Sequence, residues 1–440
     1  MKRIFLIISL TCYLSFTVVC QDKKWSLTEC IDLALQENTT VNQKKLANTV
    51  SELTLEQSKA TRIPTLSGST GQSYNFGRSL DPYTNTYIAQ NIGSNNFSLS
   101  SSINLFTGFQ TINTIKKNEL DLKTGTLDLE KTRKDVTLNV TLAYLQVLFA
   151  YEQVENAKSQ LESTQSQVDK TQILVNSGTL PIGNLYTVQS QFSTDKYSLV
   201  NAENQLSISK VNLMQLMELP VDPAFDIIRP DLANLEIKAA NASVPDSIYL
   251  KALEVQPEVA SSEIKVISAE TSLKISKAAL YPRLSLSTGI SSAYSDQRSR
   301  TFEEQLNDNL SQSVRINLSI PILNQKQVST SIQKSQVNVL SSQLIALDTK
   351  NQLRKNIEQA YNDMVAAQHN YDAVVNQLIS TETSYNDSKR KYELGMITAT
   401  DYLIAKNNYS NALTNLIRAK YNYLFMNKIL DFYQGNPIEL

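Results

Sequence analysis

Apolar side chains recur every seventh residue along the stretch 110–177, at Val147, Val154, Leu161, Val168 and Val175. Three residues after each of the first four stands a small one: Ala150, Ala157, Thr164 and Thr171. Bulky and small residues alternating at heptad spacing predict a long coiled-coil helix. The stretch holds 68 residues and no proline, so at 1.5 Å per residue it would run ~100 Å. Adding 217 to the bulky positions gives Met364, Tyr371, Leu378, Tyr385 and Tyr392, and adding it to the small ones gives Ala367, Val374, Thr381 and Ser388. The register survives although most residues differ. A second long helix is therefore expected over 327–394.

Each long helix ends at a glycine suited to a left-handed cap, Gly178 and Gly395. Each then turns back into a shorter heptad helix. Leu185, Phe192, Leu199, Leu206 and Leu213 mark the first return, over 182–217. Tyr402, Tyr409, Leu416, Tyr423 and Leu430 mark the second, over 399–431. Further helices are expected over about 27–37, with Ser26 as N-cap, and over 40–62 and 258–280. The helices 40–62 and 182–217, set end to end, nearly equal the long helix, and 258–280 with 399–431 repeat that match.

Between the helices the period changes to two. Phe97, Leu99, Ser101, Ile103 and Leu105 alternate with Ser98, Ser100, Ser102 and Asn104, which predicts a strand over 95–106 with one apolar face. A less regular partner covers 65–77, joined to it by a loop over 78–94. Leu284, Leu286 and Ile290 define a strand over 283–292. Val314, Ile316, Leu318 and Ile320 define another over 312–320. The organisation is a tandem duplication: a first repeat at 21–218, a linker at 219–246 carrying Pro220, Pro223, Pro230 and Pro245, a second repeat at 247–435, and a tail at 436–440. The fold class is mainly α, with a β-hairpin insert in each repeat.

Charge and cysteine usage narrow the function. The net charge is −1, with no basic excess to neutralise phosphates, so nucleic acid is not an expected partner. Residues 1–20 read as a secretory signal, with basic Lys2 and Arg3 before the apolar run Ile4–Val19. Cys20 is either the last residue removed or a lipidation site. After removal Cys30 is the one cysteine left, so no internal disulfide is available. The longest apolar run beyond the signal is too short for a membrane helix, so a membrane crossing would be made by strands. Strands of about 9–12 residues with one apolar and one polar face suit a barrel with lipid outside and water inside. Four strands cannot enclose water; three chains would supply twelve, with twelve helical columns beneath them.

The duplication carries family features in a fixed order: the Trp25-Ser26-Leu27 opening, Leu105-Phe106-Thr107-Gly108 after a strand, and Tyr281-Pro282-Arg283-Leu284 before one. The second tip, Tyr392-Glu393-Leu394-Gly395 through Thr400-Asp401-Tyr402-Leu403, is the most specific. From about Trp25 to Gly435 the chain resembles the TolC-type outer-membrane efflux proteins. The resemblance implies a homotrimer with a 12-stranded barrel in outer-membrane lipid and a helical periplasmic tunnel. It also implies an open passage docked through a periplasmic adaptor to an inner-membrane transporter. It places Tyr392 at the family's gating tyrosine and Asp401 at the first aspartate of its entrance ring. Ile404 stands where a second aspartate would be, and Ile397 where a gating arginine would be. Asn184 and Gly183 replace a partner aspartate and its neighbouring threonine, so a salt-bridged lock is not expected. Tyr392 equally suits a packed seam position, and Asp401 a helix cap.

No catalytic residue, cofactor or metal site is expected. His369 is the single histidine, and no phosphate-binding glycine motif occurs. Two other classes remain open to test: a periplasmic coiled-coil adaptor without a pore, and an exported hydrolase built on paired carboxylates.

Overall fold

The computed structural model describes residues 24–80, 85–89, 91–229 and 244–436. The expected signal, with Cys20, lies outside them, as do 230–243 of the linker, 81–84 and 90 of the first loop, and 437–440 of the tail. The helices are α1 (Leu27–Glu37), α2 (Thr39–Ala60), α3 (Gln110–Asn176), α4 (Ile182–Leu216), α5 (Pro245–Val255), α6 (Pro257–Ala278), α7 (Phe302–Asp308), α8 (Gln327–Glu393) and α9 (Ala399–Gln434). The strands are β1 (Lys24–Trp25), β2 (Thr65–Asn75), β3 (Arg78–Leu80), β4 (Tyr87–Ala89), β5 (Ile92–Phe106), β6 (Asp226–Ile227), β7 (Arg283–Ser295) and β8 (Ser311–Ser319). α3 and α8 each hold 67 residues. None of the described helices is long and apolar enough to cross a membrane.

The chain divides into two compact units. One comprises Lys44–Glu130 and Pro257–Gln352 and contains the main sheet. Its strand order is β2-β5-β7-β8, every pair antiparallel. β5 and β7 come from different halves of the chain, so the two expected hairpins merge into one sheet with β2 and β8 as its edges. Register puts Gly68 opposite Leu99, Leu99 opposite Ile290, Ile103 opposite Leu286, Leu286 opposite Ile316 and Leu284 opposite Leu318. One face thus carries most of the apolar side chains, with Ser101, Thr288 and Gln312 among them, and it is open: Leu99, Ile290, Val314, Ile316 and Leu318 are all exposed. The other face carries a serine ladder. Side-chain oxygens meet at 2.9 Å between Ser67 and Ser100, 2.7 Å between Ser69 and Ser98, and 2.8 Å between Ser73 and Ser94.

Gly108 turns β5 into α3. Its φ is +63°, and a Cβ there would meet the Ala278 carbonyl oxygen at 2.5 Å and Tyr281 Cβ at 2.7 Å. Glycine is required on both counts. Phe109 follows, also at positive φ, and packs edge-on against both Phe106 and Tyr281. Two elements in this unit have no periodic signal in the sequence. The β3–β4 pair lies within the first loop. α7 lies between β7 and β8 and is fastened by Gln305, whose side chain accepts from the Ser295 N–H at 3.0 Å and donates to the Ser295 carbonyl at 3.1 Å.

The second unit holds the residues up to Gln43, then Lys131–Gln256 and those from Leu353 onward. Here the heptad seams face inward. Val147, Ala150, Val154, Thr164, Thr171, Met364 and Ala367 are all buried. Ser26 caps α1 as expected: it accepts from the Glu29 N–H at 3.2 Å, while Glu29 accepts from the Ser26 N–H at 2.9 Å. The proline-bearing linker contains β6, which pairs in parallel with β1. Tyr144 ties this pair to α3 by donating to the Ile228 carbonyl at 2.5 Å. Asp226 sits beside it, bonded by the Tyr151 hydroxyl and 3.4 Å from each of Lys24 and Lys210. Burial alone would raise the Asp226 pKa, but the Tyr151 hydroxyl and Lys210 outweigh it and hold the carboxyl below the usual range.

Candidate passage entrance

The two tips are built alike, because the backbone demand at each is the same. α3 ends on Gly178 at φ 72° and α8 on Gly395 at φ 71°. Gly178 N–H donates to the Val175 carbonyl at 3.0 Å, and Thr179 N–H to Leu174 at 2.9 Å. The same two bonds recur 217 residues later, from Gly395 to Tyr392 at 3.0 Å and from Met396 to Lys391 at 2.8 Å. This closes the last carbonyls of both helices.

Beyond the second tip, Thr398 and Asp401 form a reciprocal cap. Thr398 Oγ1 accepts from the Asp401 N–H at 3.1 Å and donates to Asp401 Oδ2 at 2.7 Å, and the Thr398 N–H donates to the same oxygen at 3.3 Å. Asp401 is exposed, and this carboxylate oxygen serves the helix end. Beyond the first tip, Asn184 is half-buried and its N–H donates to the Pro181 carbonyl at 3.1 Å.

Aromatic packing fixes the second hairpin near its end. Tyr392 stacks on Tyr402, with centroids 5.0 Å apart and planes 15° off parallel. Tyr385 stacks on Tyr409 at 5.2 Å and 3°. Tyr402 and Leu403 form a buried cluster with Val188 of α4, and Val168, Tyr385, Tyr392 and Ile397 pack against it. Ile397 is thus part of an apolar contact between the first hairpin, α3–α4, and the second, α8–α9. Ile404 points to solvent. The Tyr392 hydroxyl is shielded from solvent and has no hydrogen-bond partner.

Further along the same interface lies a cluster that reading the sequence missed. Lys406 Nζ donates to Thr164 Oγ1 at 2.6 Å, and the Thr164 hydroxyl donates to Asp195. Gln191 Nε2 donates to the other Asp195 oxygen at 2.8 Å. The available signal was slight: Lys406 sits between seam residues Tyr402 and Tyr409, on the side that α3 and α4 cover.

The chain thus combines an amphipathic four-stranded sheet with long helices that return at two matching tips. The family model described as "Outer membrane efflux protein" matches residues 30–218 and 248–435.

The chain belongs to the outer membrane efflux protein family.

Among its relatives is a protein of Haemophilus influenzae, 22% identical over 370 residues, covering 83% of this chain and 77% of that protein. Outer membrane protein TolC of Escherichia coli K12 is 24% identical over 258 residues, covering 57% of this chain and 51% of its own length. Of solved structures, CusC superposes with a TM-score of 0.80 at 16% identity, covering 93% of this chain and 92% of that one. Family and fold are those of passive outer-membrane channels rather than enzymes. The protein is an outer-membrane exit duct of the efflux type, with its helical part on the periplasmic side.

Proposed function

We propose that three copies of the chain share one barrel and one helical tunnel. A periplasmic adaptor docks the assembly to an inner-membrane transporter, which supplies the energy. The single observation that carries the trimer is a match between unpaired features. Among the described residues, the outer edges of β2 and β8 have no strand partner. β2 follows α2, whose Leu46, Val50 and Leu53 form an exposed seam at heptad spacing. β8 precedes α8, whose Val337, Leu340, Leu344 and Leu347 form another. Each side of the unit thus presents a bare strand edge and a bare coiled-coil seam together. Two different surfaces that complement each other generate a ring when the rotation closes. Two copies would give eight strands, whose interior fills with side chains, whereas three give twelve and leave room for water.

Within that assembly the tips at Gly178 and Gly395 form the periplasmic entrance. Tyr392, Asp401 and Asn184 line it, and the separation of the two hairpins controls its width. The exposed Asp401 carboxylate supports this reading. Light scattering corrected for detergent, on protein extracted from outer membranes, tests the assembly. A mass of about three chains, with pore conductance after reconstitution, is expected. A monomer in the soluble periplasmic fraction would overturn it.

A further inference from the structure

Lys406 is 2% exposed, at a junction of α3, α4 and α9. Its ammonium reaches its counter-ion only through a hydroxyl: Thr164 stands between Lys406 Nζ and Asp195. Beside the cluster a polar cleft of about 450 Å³ opens between the same helices, lined by Gln153, Asn156, Gln191, Asp195, Asn407 and Ser410. Few other polar ties join the hairpins here. Asn156 Nδ2 donates to Thr414 Oγ1 at 3.0 Å, and Asn407 Nδ2 to Gln191 Oε1 at 3.3 Å. Those ties, and the apolar cluster around Tyr402, are uncharged.

We propose that Lys406 is a positioning residue of the entrance: its ammonium, buried between the hairpins, weakens their packing and biases them to part. This rests on the reading that parting the hairpins widens the passage. A charge held out of water with only a neutral hydroxyl in direct contact costs free energy that returns when water reaches it. The uncharged contacts pull the hairpins together whatever the state of Lys406. The balance leaves a packed state that a docking partner can undo with little work.

The electrostatics agree. Burial outweighs the attraction of Asp195 and lowers the Lys406 pKa from 10.5 to about 8. The groups facing it are Asp195 and neutral Gln191 from α4 and neutral Thr164 from α3. Tyr402 and Tyr409 flank it on α9, and Tyr385 of α8 packs on both. Burial raises the Tyr402 and Tyr409 phenols, so they stay protonated throughout. With the packed-state pKa below the free value, the packed state binds fewer protons. Its penalty is fully present below pH 8 and disappears between there and 10.5. Raising pH from 7 to 9 should favour packed hairpins about tenfold.

The test uses trimers in bilayers with spin labels at Ser177→Cys and Met396→Cys, one exposed position on each tip; Cys30 is buried beyond the label's reach. Inter-tip distances and conductance are read at pH 7 and pH 9. The ratio of packed to parted hairpins should rise about tenfold in the otherwise unaltered protein, and conductance should fall. Lys406→Met with Asp195→Asn should be packed at both pH values. Lys406→Arg, which stays charged, should keep the pH 7 distribution at both. Distances that ignore pH, or a neutral pair that parts the tips further, would overturn the proposal. Distances that respond as expected while conductance stays constant would uphold the bias of Lys406 and instead refute the assignment of the entrance.

Discussion

Tyr392 and Tyr402 lie face to face, 5.0 Å between centroids, one residue closing α8 and the other opening α9. Tyr402 is the better buried and also contacts Tyr385 at 6.0 Å, so it joins two aromatic contacts. Tyr402→Ala should remove both, at a cost of about 3–5 kcal/mol for a large core aromatic. Hydrogen exchange should quicken over residues 385–403. Tyr392→Phe should keep or raise that protection, because its buried hydroxyl has no partner to lose. If Tyr392→Phe instead raises conductance with unchanged protection, the hydroxyl acts in gating.

Much of this arrangement is legible in the sequence because seam spacing and side-chain size are local properties. Val147, Val154, Met364 and Tyr402 stand at heptad positions and are buried. Gly178 and Gly395 stand where the heptads stop, and both take the left-handed conformation. The alternation around Leu99 and Leu318 likewise yields one apolar face. What was not legible depends on partners far apart in sequence. β1 and β6 have two residues each, too few to show a period, and are recognised only by pairing with one another. α7 is anchored through Gln305, a residue whose type alone says nothing. The joining of β5 to β7 makes one sheet where two hairpins were expected. Lys406 reads as a solvated charge until α3 and α4 are seen to cover it.

Asp401 separates two roles by substitution. The carboxylate accepts from the Thr398 N–H and hydroxyl. Asp401→Ala should lose the cap, worth about 1 kcal/mol, and hydrogen exchange at the start of α9 should rise. Asp401→Asn keeps an acceptor but removes the charge. If Asp401 also lines the entrance, cation selectivity of the reconstituted pore should fall in the Asn variant while the helix end stays protected. Equal loss of protection in both variants would leave the cap as its only role.

Asp226 should make the β1–β6 tie sensitive to acid. Its pKa in the folded chain lies below the ordinary value because Tyr151 and Lys210 favour the ionised form over the opposing effect of burial. A depressed carboxylate contributes stability that is present above about pH 4, its unfolded value, and is lost as pH falls through the folded one. Thermal unfolding followed from pH 7 to pH 3 should show Asp226→Asn below the parent protein at neutral pH and converging with it in acid. A constant gap over the whole range would remove the carboxylate charge from the explanation.

The sheet offers a test within two adjacent residues. Leu318 pairs with Leu284 on the apolar face, and Asn317 pairs with Ser285 on the serine face. Both belong to β8, an edge strand, and both are exposed in the single chain. Solvent exposure alone would therefore make arginine equally acceptable at either site. Lipid against the apolar face would not, since a lipid-facing arginine costs up to about 2–4 kcal/mol, depending on its depth. Arg315 already occupies the serine face of the same strand, opposite Ser287, which is where a water-filled interior would place it. Asn317→Arg should accordingly assemble in the outer membrane at the parent level. Leu318→Arg should assemble poorly, with most of the protein absent from the trimer fraction. Equal assembly of the two would mean that no lipid meets this face, and the four strands would then need another role.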